Sequence, residues 1–148
     1  MLAADAGTPR RKVGGCERYP DVLKSISFRL PVVFAGLFGA FGTAGAAFAA
    51  HGGADAQLAA IAAAIAFVHA PALLALGLAG ERLRAPLVPG IGMCLGVALF
   101  SGDLAARIVT GGRLFANAAP TGGTILIVSW LALAVLACLP ARDSNGRR

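Results

Sequence analysis

The sequence is poor in the residues from which most enzyme sites are built. It contains two histidines, His51 and His69, three cysteines, Cys16, Cys94 and Cys138, and seven carboxylates. Two histidines exclude a histidine-rich metal centre, and the cysteines show neither a C-x-x-C pair nor another metal-ligand spacing. No paired carboxylates share a depth to divide acid and base work, and no serine or cysteine has a visible histidine partner. The chain is therefore not expected to be an enzyme, and it calls for no cofactor. Aromatic residues are also scarce, with one Tyr and one Trp. No basic stripe interleaves with the phenylalanines, so the net charge of +6 is not read as a nucleic-acid footprint.

Charge is scarce as well. Only 14% of residues are charged, 57% are hydrophobic, and the mean hydropathy is +0.77. A soluble domain of 148 residues could not bury that much apolar surface, because small domains hide the smallest share of their area. The apolar residues are collected into runs long enough to cross a bilayer, for which about 18 to 20 residues suffice, uncharged except for Asp103 and Arg107 at the end of the third. Four runs are present, at about residues 30–50, 57–79, 85–107 and 118–139. The expected fold is an all-α integral membrane protein, an antiparallel four-helix transmembrane bundle occupying residues 28–140. Residues 1–27 read as a disordered basic tail and residues 141–148 as a second basic tail. Arg10-Arg11 stands too far from the first apolar run, across Glu17, Asp21 and Lys24, for a twin-arginine leader. Ala47-Phe48-Ala49 mimics a signal cleavage site, but the run preceding it is longer than a signal core, so cleavage is not expected.

The basic residues fix an orientation. Placing both termini in the cytoplasm puts eleven of the 13 Lys and Arg on that side, including Arg29, Arg82, Arg84 and Arg142. Arg113 is then the clear exception, with Arg107 at the outer edge of the third span. The implied location is the inner (plasma) membrane, with the bilayer as the main partner and a second copy or a membrane complex as the further one.

Within the spans, small residues recur four apart: Gly36, Ala40 and Ala44 on one line, Ala35, Gly39, Thr43 and Ala47 on the next. Gly92 and Gly96 make a GxxxG pair in the third span. Such stripes let helices approach closely in lipid, where packing must replace the hydrophobic drive. Pro31 falls in the first turn of the first span and Pro71 in the interior of the second, where it frees the carbonyl of Phe67. Pro120, Gly122 and Gly123 form the tight start of the fourth.

Four blocks in this frame resemble the domain of unknown function 423 family, small membrane proteins that include transmembrane protein 256-like members. They are Gly39-Ala40-Phe41 through His51-Gly52; Phe67-Val68-His69-Ala70-Pro71 through Leu74; Leu99-Phe100-Ser101-Gly102; and Ala119-Pro120-Thr121-Gly122-Gly123 with Trp130 beyond. The resemblance runs from Gly36 to Val135 and implies a four-span helical protein of the bacterial inner membrane, with no established activity. Asp103 and Arg107 depart from the family's uncharged continuation, and Ala63 to Ala66 replace its usual polar and aromatic residues.

The candidate functional positions are the polar groups inside the spans, which are costly there and mark function by default. His69 lies about ten residues from the inner end of its span, roughly 15 Å and close to the midplane. Cys94, Ser129 and Trp130 fall near the same depth. A neutral His69 is expected to hydrogen-bond the freed carbonyl of Phe67 or Ser129, fixing the bundle; a proton relay is the sharper alternative. His51 sits roughly 18 Å from that depth, too far for a bis-histidine haem. It belongs with an outer group of Asp55, Asp103, Arg107 and Arg113, in which Asp103 and Arg107, at i and i+4, can pair. The functional expectation is an accessory or structural membrane protein. Its alternative is a proton or small-solute translocator using His69 at the midplane.

Overall fold

In the computed structural model, residues 18–51, 53–79, 83 and 85–139 are described, with side chains from Arg29 onward. Four helices follow one another: α1 (Arg18–His51), α2 (Ala56–Ala79), α3 (Leu87–Thr110) and α4 (Ala118–Cys138). A single 3-10 turn, Gly53–Asp55, joins α1 to α2. Among the described residues there is no strand. Each helix is long and apolar enough to cross a bilayer, over Arg29–His51, Gly53–Ala79, Leu87–Thr110 and Ala118–Cys138. The shortest, α4 with 21 residues, spans about 31 Å, the thickness of the hydrocarbon layer.

The span boundaries agree with the hydropathy reading to within a few residues, but the amino-terminal side differs. Because α1 begins at Arg18, the last ten residues of the stretch expected to be tail are helical. Pro31, expected in a first turn, consequently lies inside a helix, where it has no N–H to give the carbonyl of Ser27. Its ring is fully buried, and Gly90 of α3 lies across from it. Residues 1–17 and 140–148, which carry the remainder of both expected tails, lie outside the described residues, as do Glu81, Arg82 and Arg84 of the charged turn.

The helices are antiparallel and packed in chain order. α1 packs along α2 and α3 along α4, and the two hairpins meet through α2 and α3; the α1–α3 contact is small. α2 and α3 are therefore central, while α1 and α4 keep most of their surface free. The core lies where the hairpins meet: Ala66, Leu73 and Leu76 of α2 against Met93, Cys94 and Val97 of α3, closed by Ala35 and Leu126. A second cluster, Ala62, Leu104 and Ala119, closes the opposite end. What faces outward is apolar as well: Val33, Leu37, Phe41 and Phe48 on α1, and Ile127, Val128, Leu131 and Val135 on α4 are all exposed. So large an apolar face would drive association in water and is the ordinary surface of a protein in lipid.

Glycine decides how near the helices come. In the first hairpin the close approach is made by Gly42 and Gly45, where an added Cβ would press at 3.0 Å on Phe67 and Ala63. Gly39 only touches Ala70 at 3.9 Å, and a Cβ at Gly36 would meet nothing within 4 Å. Gly36, expected at a helix contact, thus lies off it, one face round from the residues that make it. In the second hairpin the expected glycines do lie in the contact. A Cβ on Gly92 would collide with Ser129, one on Gly96 with Leu126, and one on Gly122 with the backbone of α3. Gly123 is looser, 3.7 Å from the Phe100 ring, and Pro120 is exposed.

Candidate functional site

The buried polar side chains fall at two levels. At the level where the hairpins meet, His69 of α2 is buried. Its Nδ1 lies 2.7 Å from the carbonyl oxygen of Ile65, one turn back. The indole Nε1–H of Trp130 on α4 donates to its Nε2 across 3.1 Å. An indole nitrogen can only donate, so Nε2 must be the acceptor and Nδ1 carries the proton that Ile65 receives. Both ring nitrogens are used by the neutral tautomer. The two rings stand 5.9 Å apart, tilted by 58°.

The depth expected for His69 relative to α4 is realised, but its partners differ from those expected. Ser129 Oγ turns back to donate to Ile125 of its own helix at 2.7 Å, and it is Ile65, not Phe67, that receives the imidazole proton. Ser129 and Trp130 are adjacent in sequence and so point about 100° apart around the helix. Only Trp130 reaches across to α2. Cys94, at a similar level, packs within the core as a small apolar side chain.

A direct test uses the fact that Trp130 is the chain's one tryptophan. Replacing His69 with Leu leaves the indole N–H without its acceptor. It is expected to lower stability by about 1–3 kcal/mol, the cost of stranding one partner of a buried hydrogen bond. Trp130 fluorescence, with thermal unfolding in mild detergent, reads both effects. An unchanged emission spectrum would refute the bond.

The second level holds Ser101 and Asp103 near the other end of α3. Ser101 Oγ donates to the carbonyl of Ala62 at 2.9 Å, tying α3 to α2 inside the core. The sequence singled out Ser101 only within a family block; its hydroxyl, alone in an apolar run, was the available signal. Asp103 has no exposed surface. Its Oδ2 accepts from Arg107 Nε at 3.0 Å and from Arg107 Nη2, and its Oδ1 accepts from the backbone N–H of Leu114 at 2.9 Å. The expected i, i+4 pair is present. Its further partner, the amide of Leu114, lies in the loop between α3 and α4. That loop begins at Gly111, in the left-handed conformation (φ 70°) that lets its N–H return to the carbonyl of Arg107. It ends at Asn117, also left-handed (φ 67°).

The wider outer group expected from the sequence assembles only in part: the charge of Arg113 acts on Asp103, but His51 and Asp55 do not join the pair. His51 is exposed at the last turn of α1, and neither it nor Asp55 hydrogen-bonds the Asp103–Arg107 pair. Arg113 lies in the exposed loop beside it. Among the described residues no three His, Cys, Asp or Glu side chains come together in a group able to hold a metal.

This two-level arrangement falls within a stretch that a family model covers. The model described as "Protein of unknown function (DUF423)" matches residues 36–123, more than half of the chain. The chain belongs to the DUF423 family. The match includes the contact glycines of both hairpins, His69, Ser101 and the Asp103–Arg107 pair. It ends before Trp130, so the indole that pairs with His69 stands outside the matched DUF423 segment. No solved structure matches this DUF423 chain.

Proposed function

We propose that this DUF423 protein is a small accessory or structural component of the inner membrane, without chemistry of its own and with both termini cytoplasmic. The observation that carries the reading is how its buried polar groups are used. His69, Ser101, Asp103 and Ser129 each spend their hydrogen bonds on the protein itself. Among the described residues no buried side-chain nitrogen or oxygen is left without a partner. A catalytic or conducting group must offer a lone pair or a proton to something that enters; these groups join helix to helix and loop to helix. The spaces between the helices are walled by apolar residues, with Thr43 the one side-chain hydroxyl among those lining them. The orientation rests on the basic residues, eleven of 13 of which fall on one side of a four-span chain.

Translocation is the competing reading, and it is tested directly. The purified protein, reconstituted in liposomes carrying a pH-sensitive dye, is expected to pass protons no faster than protein-free liposomes. A proton flux that vanishes in His69→Ala would overturn the structural reading in favour of transport. Extraction from the native membrane in mild detergent is the complementary experiment, in which a stoichiometric membrane partner would name the complex served.

A further inference from the structure

Two grooves follow the seam between α1 and α2, of about 530 and 490 Å³. Gly42, Thr43 and Ala46 line the first on its α1 side, and Val32, Gly36 and Gly39 line the second. These positions are related by seven residues (32, 39 and 46; 36 and 43), as are 60, 67 and 74 on α2, so the grooves lie on one face. Phe67 borders both. Lying end to end on either side of Phe67, they make a divided furrow from Val32 to Ala49 on α1, a rise of about 26 Å that nearly matches the hydrocarbon thickness of a bilayer.

The furrow's chemistry restricts its occupant. The hydroxyl on its wall, Thr43 Oγ1, donates back to the carbonyl of Gly39 at 2.8 Å. The wall thus offers a polar ligand no free side-chain donor. Phe67, 57% exposed, stands across the middle. A straight helix laid along the seam would strike that ring, whereas a flexible hydrocarbon chain can bend round it. At one end of the furrow the charge changes. Arg29, Val32 and Gly36 are spaced i, i+3 and i+7 on α1, which sets an exposed cationic residue on the furrow's own face, one turn beyond its mouth.

The geometry points to a binding site for one anionic phospholipid, with an acyl chain in the α1–α2 furrow and its phosphate at Arg29. The site is independent of whether the protein is an accessory subunit or a transporter. It differs from the general lipid shell in having a fixed path for the chain and a fixed charge for the headgroup.

Native mass spectrometry of the full chain in mild detergent tests it, with phosphatidylglycerol or phosphatidylcholine of identical chains added after delipidation. The wild type is expected to retain one phosphatidylglycerol, about fivefold more than phosphatidylcholine, the ratio that one basic residue at a lipid surface supplies. Arg29→Gln is expected to equalise the two lipids. Gly36→Leu is expected to lower retention of both at an unchanged melting temperature, because its Cβ has open space around it and the larger side chain fills the furrow. Equal retention of the two lipids by the wild type would overturn the proposal, and so would full retention by Gly36→Leu. A dimer that Gly36→Leu dissociates would overturn it too and assign the furrow to a second copy.

Discussion

Gly122→Ala is expected to be among the most damaging one-methyl substitutions in the chain. An ideal Cβ at this position would lie 2.6 Å from the backbone nitrogen of Phe100, 2.8 Å from the carbonyl oxygen of Gly96 and 3.0 Å from Leu99 Cβ. Two of these are main-chain atoms of α3, which cannot rotate away as the end of a side chain could. The methyl group therefore has to push α3 and α4 apart. That would loosen Gly96 against Leu126 and Gly92 against Ser129 in the same contact. In lipid this loss is not softened by hydrophobic re-burial, because close packing is itself what holds the helices together. Overpacking costs about 1–3 kcal/mol, and a clash with backbone belongs at the upper end. The better helix propensity of alanine, about 1 kcal/mol, returns only part of it. Unfolding in mild detergent, by heat or by titrated dodecyl sulfate, is the measurement. Two other glycine substitutions calibrate it: Gly123→Ala, whose Cβ would meet the Phe100 ring at 3.7 Å, and Gly36→Ala on α1, whose Cβ would meet nothing within 4 Å. Both are expected to be neutral or slightly stabilising. If Gly122→Ala unfolds with them, α3 does not approach α4 closely at Gly122.

The same glycines show what the sequence could and could not reveal. Spans were legible because charged or turn-forming residues bound each apolar run, and the short connections left only antiparallel neighbours. The second hairpin's contact was legible too, since Gly92, Gly96 and Gly122 stand out against bulkier residues on helices otherwise rich in Leu, Ile and Val. α1 offered no such contrast. Its small residues fall on nearly every face, from Gly36, Ala40 and Ala44 to Gly42, Gly45 and Ala49. Spacing alone cannot then choose the face, and the choice of Gly42 and Gly45 is made by what α2 presents, Ala63 and Phe67. The candidate site divides in the same way. Residue counts along a helix give depth, and they placed His69 level with Ser129 and Trp130. They do not give the rotation of α4 about its axis, and that rotation separates a serine satisfied within its own helix from an indole that reaches His69. The pairing of Asp103 with Arg107 is local and was readable from i, i+4 spacing. Its third partner, Leu114, lies across a loop whose path no local rule dictates.

That third partner makes Asp103 the other position where a large effect is expected. Its carboxylate is wholly enclosed, with one oxygen on Arg107 and the other on the Leu114 amide. The 111–117 loop is exposed throughout; the Gly111 cap and the Gly112 N–H on Thr110 Oγ1 hold its first two residues to α3, and this hydrogen bond is what holds its middle there. Asp103→Leu removes the acceptor of the loop amide and leaves Arg107 facing an apolar run. The loop should then open far more often, since local opening is governed by the few bonds that close it. Trypsin supplies a convenient readout because Arg113 immediately precedes Leu114. Cleavage after Arg113 in detergent is expected to speed up about tenfold or more, the factor for losing one charge-assisted hydrogen bond. Asp103→Asn separates the two roles of the side chain. Its amide oxygen can still accept from Leu114 while the ion pair is lost, so cleavage should stay near the wild-type rate even as the melting temperature falls. Arg107→Leu does the reverse, keeping the loop acceptor but leaving an enclosed carboxylate without its countercharge. It should therefore destabilise the fold more than Asp103→Asn does. If Asp103→Leu is cut no faster than the wild type, the loop is held by something other than this carboxylate. If Asp103→Asn is cut as fast as Asp103→Leu, the ion pair and not the hydrogen bond fixes the loop, and with it the left-handed Asn117 from which α4 starts.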